Sequence, residues 1–429
     1  MDKEKYIEIV QYLKSVIADT EFENNLYTVG GCERDALLGD SIKDIDLVVS
    51  LPNGGIKFAE WLSSVGLVDG HMVVYPTYGT AMLRLKKFPE LELEFVQTRR
   101  EQYKDKESRN PETEFGTITE DCFRRDLTIN SIYRNVSTGE VLDLTGKAFK
   151  DIENQIIRTT NDNPNLVFSD DPLRILRVCR FASRYEWTIE AATYESMVLL
   201  SDRLSIISKE RINEEFCKMI TCKSPYYALV LIKGCGALRF ISKYASKLKP
   251  SEYSTICMSV NKANGLEQSL AAFYILSDAE TAKKEMRDLK FSNDVISKVC
   301  FLIENSRYLS EYDENFNGEL NPFIRKFQYF SGDKIEDLLD VIDIYNCYVR
   351  NIGPNQVRLM RESISAMKKN GFGMSSYKLP IDGNDVMKAK GISPSSKVKE
   401  YLDYCLKMAF VYPKYTKEEF IKMIKKVDL

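Results

Sequence analysis

Short apolar runs punctuated by turn residues fill the first 150 positions, and helical spacing takes over after them. The segments LYTVGG, DIDLVVS, HMVVYP, TAMLRLKKF, LELEFVQT and GEVLDL carry the alternation and β-branched content of strands. YIEIVQYLKSVIA (6–18) and IKFAEWLSSV (56–65) repeat their apolar residues at helical intervals. Residues 1–150 therefore read as a mixed α+β domain. From Asp151 onward strand signals fade. PLRILRVCRFASRY, SKERINEEFCKMI and IEDLLDVIDIYNCYV are amphipathic helical patterns, and the remainder reads as nearly all α. Breaks fall near Lys223–Pro225, Lys249–Pro250, Gly318–Pro322 and Gly371–Gly373. We expect a head over 1–150, a helical neck over 151–235 and an all-α body and tail over 236–429.

Composition narrows the chemistry. The chain of 429 residues carries a net charge of −3, so contact with nucleic acid must come from a local basic surface. Arg358, Arg361, Lys368, Lys369, Lys388, Lys390, Lys397 and Lys399 are candidates for it. The single histidine, His71, excludes histidine-rich zinc sites and Ser-His-Asp chemistry. Catalysis here has to run on carboxylates, cations and bound metal. Ten scattered cysteines without a CxxC pair read as reduced thiols, and the charged N-terminus and lack of long apolar runs argue against a membrane anchor. Together they point to a cytoplasmic protein.

Several constellations carry chemistry. Gly30-Gly31 follows a strand-like run and precedes Arg34-Asp35, Leu38-Gly39 and Asp44-Ile45-Asp46. Two glycines let a backbone approach phosphate closely, with N–H groups free to donate. Carboxylates two apart in a strand share a face and suit a divalent cation bound through oxygen. A bare DxD is more often a solvated strand edge; the combined GG–RD–DxD spacing singles this one out. Glu92 and Glu94 alternate with Leu93 and Phe95, which places both carboxylates away from the apolar side. Arg124-Arg125-Asp126 offers guanidinium forks for phosphate oxygens. The polar stretch from Arg99 to Asp121 is long for a compact domain. In DDPLRILR, Asp171 before a proline reads as a helix cap. At about 100° per residue, Ile175, Cys179 and Ala182 share one face, and Arg174, Arg177, Arg180 and Arg184 lie on the other side.

GGCERDALLG…KDIDL, RRDLTIN, DDPLRILR and SKERINEE together resemble the class II tRNA nucleotidyltransferase and bacterial poly(A) polymerase family. The resemblance is strong over Tyr27 to Phe216 and returns faintly at LPIDGND and TKEE. It implies an α+β fold with a polymerase-β-type nucleotidyltransferase head followed by an all-α neck, body and tail. It implies Mg²⁺ on Asp44 and Asp46, with Glu94 able to complete a catalytic triad. Gly31, Arg34 and Arg125 are then nucleotide phosphate contacts, and Asp126 a structural support. Asp171 and Arg174 are assigned to the base edge, Arg177 and Arg180 to the nucleotide pocket. The implied reaction is addition of CCA from CTP and ATP to the 3′ acceptor end of tRNA. Poly(A) addition and CC-only or A-only addition are the alternatives. A flexible loop within Arg99–Asp121 is expected to assist the switch to A. Cys32 and Glu33 stand where the family usually has small apolar residues, and with one histidine the tail cannot be of the HD type.

Overall fold

The computed structural model describes residues 1–76, 79–102, 112–307, 322–369, 374 and 377–428. The chain divides into two compact units, Met1–Lys247 and Leu248–Leu429.

The first unit opens with α1 (Lys3–Ile17), capped by the Asp2 carboxylate on the Lys5 N–H at 2.8 Å. Its Tyr6, Ile9, Val10, Leu13 and Ile17 are buried at helical intervals. Seven strands follow in one sheet: β1 (Leu26–Val29), β2 (Asp46–Val49), β3 (Val68–Tyr75), β4 (Thr80–Leu85), β5 (Phe88–Gln97), and later β8 (Ile132–Asn135) and β9 (Val141–Asp143). Between them lie α2 (Gly31–Leu38), α3 (Gly54–Ser64), the two-stranded ribbon β6 (Arg99–Gln102) and β7 (Glu112–Phe115), and α4 (Ile118–Phe123). The sheet order is β3-β4-β5-β2-β1-β8-β9. Neighbours are antiparallel except the central pair β2 and β5. The crossover joining that pair includes α3, whose first turn lies so close to β5 that a side chain at Gly55 would collide with the Phe95 carbonyl.

One face of the sheet carries the main core, where Leu13, Phe22, Leu47, Phe58 and Phe95 are buried together. Among the described residues, the other face holds a small cluster around Val29, Val48, Cys122 and Tyr133. Register places Val29, Asp46, Glu94 and Met82 side by side across four strands, hence on one face. The central strands thus bury one side under helices and offer carboxylates on the other.

Helices complete this unit: α5 (Ala148–Glu153), α6 (Pro164–Asp170), α7 (Leu173–Tyr185), α8 (Ala191–Leu200), α9 (Lys209–Ile220) and α10 (Pro225–Gly234), then two short turns to Ser246. On α7, Ile175, Cys179 and Ala182 are fully buried, and α9 packs against it through Ile212, Phe216 and Met219.

The second unit is helical among its described residues, with ten α-helices from Pro250–Lys262 to Lys417–Lys426. The pattern IEDLLDVIDIYNCYV forms Ile335–Tyr345, which continues into a π turn at Asn346–Arg350. The last three helices enclose Val386, Tyr401, Cys405, Phe410, Phe420 and Ile424. Buried Arg325 donates to the carbonyls of Phe410 at 2.7 Å and Val411 at 3.3 Å, satisfying the end of the helix Ser396–Val411. The fold is α+β, with a polymerase-β-type head and helices after it. No described helix is long and apolar enough to cross a membrane.

The sequence pattern missed β8, which lies in SIYRN beside β1, and the ribbon β6–β7. It assigned no element to the residues after Gly31, which form α2. Residues 103–111 of the polar stretch lie outside the described residues, as do most of 318–322 and all of 371–373.

Candidate active site

Strand β1 ends at Gly30, whose φ of 79° and ψ of −122° favour glycine strongly. This turn starts α2 abruptly. The Gly30 N–H is not available to a ligand, because it donates to the Ile132 carbonyl at 3.0 Å. Gly31, as first residue of α2, supplies an N–H with no intrahelical acceptor. The strand β2 begins only at Asp46, so Asp44 precedes it and strand alternation does not orient the pair. Both carboxylates nevertheless line one cleft. Burial raises the pKa of Asp46, the Arg125 cation opposes that, and the negative charge of Asp44 adds to it.

That cleft has a volume of about 660 Å³. One wall is Gly30, Gly31, Arg34, Asp35, Lys43, Asp44, Asp46, Arg125, Asp126 and Asn130; the other is Arg177, Arg180, Phe181, Arg184, Lys218, Thr221, Cys222 and Lys223. Eight basic side chains line it together with four carboxylates, a local positive excess within an acidic chain.

The walls are held by ion pairs with little exposure to water. Arg34 bonds Asp35 at 2.7 Å, donates to Asn130 and lies over the rings of Phe181 and Tyr185. Asp35 also accepts from Tyr185 at 3.0 Å and Arg184 at 3.4 Å, which ties α2 to α7. Buried Asp126 takes Arg177 at 2.7 Å and Asn130 at 3.1 Å. Burial alone would raise its pKa, but Arg177 outweighs that and holds the carboxyl well below the usual range. Glu215 on α9 is 3% exposed and accepts from Arg180 at 2.6 Å, with Arg177 at 3.8 Å. The arginine face of α7 is therefore anchored from both sides.

Arg125 donates through Nε to the Tyr133 hydroxyl at 2.9 Å and through Nη2 to Asp121 at 3.1 Å. Its Nη1 lies 3.5 Å from where a Cβ on Gly30 would stand, and Asp46 Oδ2 is 3.9 Å from the same point. Asp121 was not singled out from the sequence. A carboxylate three and four residues before two arginines on a capped helix start was the available signal.

Three expected residues sit elsewhere. Glu94 pairs with Asp46 in register and feels its charge, since burial and then Asp46 raise its pKa, but it does not line the cleft. Among the described residues no three His, Cys, Asp or Glu side chains gather closely enough to share one metal ion. Asp171 and Arg174 do not line the cleft either. Asp171 caps α7 through Leu173 N–H at 3.1 Å and takes Arg211 at 2.8 Å. Arg174 is buried and donates to the carbonyls of Arg124 at 2.6 Å and Val167 at 3.2 Å. Helix geometry explains this. Arg177, Arg180 and Arg184 fall within about 60° of one another, while Arg174 lies about 60° beyond Arg177 and a turn earlier.

Cys32 and Glu33 have their own explanation. Cys32 is buried and its thiol donates to the Val29 carbonyl at 3.3 Å. Glu33 is fully buried, accepts from Tyr6 and Thr28, and pairs with Arg134 at 3.1 Å. An ion pair occupies the place of an apolar contact.

Asp46 on the sheet face with Asp44 just before its strand, a glycine turn and a cationic wall form the arrangement expected of a nucleotidyltransferase. Residues 26–158 match the family model described as the poly A polymerase head domain, and residues 187–248 match the probable RNA and SrmB-binding site of polymerase A. The chain is 30% identical over 386 residues to the CCA-adding enzyme of Enterococcus faecalis, covering 88% of this chain and 85% of that protein. It is 26% identical to the tRNA nucleotidyltransferase cca2 of Schizosaccharomyces pombe over 93% of this chain and 92% of that one. The Bacillus stearothermophilus CCA-adding enzyme, solved with CTP, superposes with a TM-score of 0.70 at 20% identity, over 99% of this chain and 96% of the other. The chain belongs to the class II family of CCA-adding enzymes and poly(A) polymerases, whose chemistry is metal-dependent nucleotidyl transfer.

Proposed function

We propose that this protein adds CMP, CMP and AMP to the 3′ end of tRNA without a template, using CTP and ATP. The observation that carries the reading is the cleft itself, where Asp44 and Asp46 stand beside Gly30 and Arg125 and face the arginines of α7. Its excess of basic side chains suits a triphosphate, which carries about three to four negative charges near neutral pH.

Asp44 and Asp46 are the residues that would hold divalent metal. Two adjacent carboxylates in a partly desolvated setting, with room for water and phosphate oxygens, fit Mg²⁺. When bound, the metal makes the attacking hydroxyl more acidic and neutralises charge on the leaving group. The 3′-hydroxyl of the tRNA gives up its proton to water and its oxygen bonds to the α-phosphorus as the α–β bridging P–O bond breaks, and pyrophosphate leaves. Gly31, Arg34 and Arg125 hold the phosphates, and Arg177 and Arg180 line the nucleotide's other side. Glu94 sits one strand from Asp46 and supports the negative potential there. Asp171 and Arg174 read the base. Cytosine and adenine each present an amino donor beside a ring-nitrogen acceptor, which a carboxylate and a guanidinium match. To do so, the two residues exchange the protein hydrogen bonds described above for bonds to the base.

Ten free cysteines support a reducing compartment, on our reading the cytoplasm. The decisive experiment supplies tRNA lacking its last three nucleotides with labelled CTP, ATP or both. Two additions with CTP and a third only with both identify the CCA-adding activity. Stopping after CC, accepting only tRNA-CC, or growing a long A tail would each replace it with the corresponding alternative.

A further inference from the structure

Asp121 is a fully buried carboxylate outside the cleft lining, and it gathers donors from the end of α4, from β6 and from β8. It accepts from Arg124 Nη2 at 2.6 Å, Arg125 Nη2 at 3.1 Å and the Tyr133 hydroxyl at 2.6 Å. It also accepts the backbone N–H of Arg99 at 3.2 Å, where β6 begins. Tyr133 in turn accepts from Arg125 Nε at 2.9 Å and lies under its guanidinium. The back edge of Arg125, Nε and Nη2, thus donates to protein, while Nη1 lies beside Gly30 on the same wall of the cleft, near the Asp46 carboxylate.

An arginine side chain has many rotamers, and ordering it on phosphate costs binding free energy. A guanidinium whose rear edge is already fixed has met that cost in folding, so its front edge is preorganised for charge. We propose that Asp121 and Tyr133 are the positioning pair that presents Arg125 to the phosphates of the incoming nucleotide. Neither contacts the nucleotide. The proposal rests on the reading of Arg125 as a triphosphate ligand. Burial would raise the pKa of Asp121, but Arg125, Arg124 and Tyr133 outweigh it and bring the pKa to about 2, so the carboxylate stays charged at any working pH.

A positioning role for a phosphate ligand makes a specific split. In Tyr133→Phe and Asp121→Asn, KM for CTP and ATP should rise together by about threefold to tenfold, the effect of losing one hydrogen bond of ordinary net strength. The inhibition constant of pyrophosphate should weaken in parallel, and that of CMP, which lacks the β and γ phosphates, should not change. The ratio of CTP to UTP use should also hold. Tyr133→Phe keeps its ring in place and decides the matter if Asp121→Asn fails to fold. Arg125→Ala is measured alongside. If it leaves pyrophosphate inhibition intact, the reading of Arg125 is wrong. If it weakens that inhibition and Tyr133→Phe does not, Arg125 binds phosphate unaided and the positioning role is overturned. Equal weakening of CMP and pyrophosphate would mean a general structural defect and would also overturn it.

Discussion

Replacing Glu33 by alanine removes one half of a buried ion pair and leaves Arg134 behind. The Glu33 side chain has no exposure, and that of Arg134 is a quarter exposed. Breaking such a pair costs about 3–5 kcal/mol, because the remaining charge is left desolvated. Two features pull the figure to the lower end. Arg134 also donates to the Gly139 carbonyl at 3.1 Å, and its exposed edge can recruit water. Tyr6 and Thr28 keep each other as partners at 2.9 Å. We therefore expect a loss of about 3 kcal/mol. The assay is urea unfolding followed by tryptophan fluorescence. Both tryptophans, Trp61 and Trp187, lie in the first unit, so the signal reports on it alone. A slope of about 3 kcal/mol per molar converts the loss to a midpoint shift of about 1 M. The double variant Glu33→Ala/Arg134→Ala should regain a substantial part, since no charge is then stranded. A single variant within about 0.5 kcal/mol of the parent, or strictly additive losses, would refute the ion-pair account.

Asp46→Ala should abolish CMP addition in single-turnover assays at saturating Mg²⁺ while the protein stays folded; activity within a few-fold of the parent would remove Asp46 from the metal site. Asp171→Asn retains a capping oxygen for Leu173 but loses the acceptor-only edge, so UTP should gain on CTP by about tenfold or more, as expected for buried groups left unpaired. An unchanged CTP-to-UTP ratio would leave Asp171 as a cap and no more. Arg361 and Lys390 of the expected tRNA surface already pair with Asp340 and Asp428, and Arg358 pairs with Glu362, so neutralising the exposed Lys368, Lys369, Lys388 and Lys399 is the cleaner test. The salt dependence of tRNA affinity should flatten by about 0.7–0.9 logarithmic units for each RNA phosphate that a lysine no longer neutralises, with CTP affinity untouched; an unaltered slope would move the surface elsewhere.

The parts of the site legible in the sequence are those with local spacing. Gly30, Asp44, Asp46 and Arg125 carry chemistry in their residue types and meet in the cleft. The helix α7 announced its apolar and basic sides, and both are present. The illegible parts depend on tertiary pairing. Nothing in SIYRN says that it lies beside β1, because a four-residue strand has too few alternations to register. Glu33 stood out only as a charge where the family usually has a small apolar residue, and its partner Arg134 is 101 residues away. A helical wheel puts Arg174 at the edge of the arginine side, about 60° beyond Arg177, but the backbone carbonyls of Arg124 and Val167 that hold it there come from outside the helix, where no periodicity reveals them.

The two walls of the cleft draw on residues from Gly30 to Lys223. During synthesis, then, the paired aspartates emerge early, but nothing stands opposite them until α7 and the end of α9 have left the ribosome. A fragment cut after residue 158 would keep the acidic strand and Arg125 yet lose Arg177, Arg180 and Arg184. On the proposed reading, such a fragment would keep the residues assigned to metal and lose those assigned to the nucleotide's other side. On that reading, extension of RNA ends would have to wait until more than half of the chain has been made.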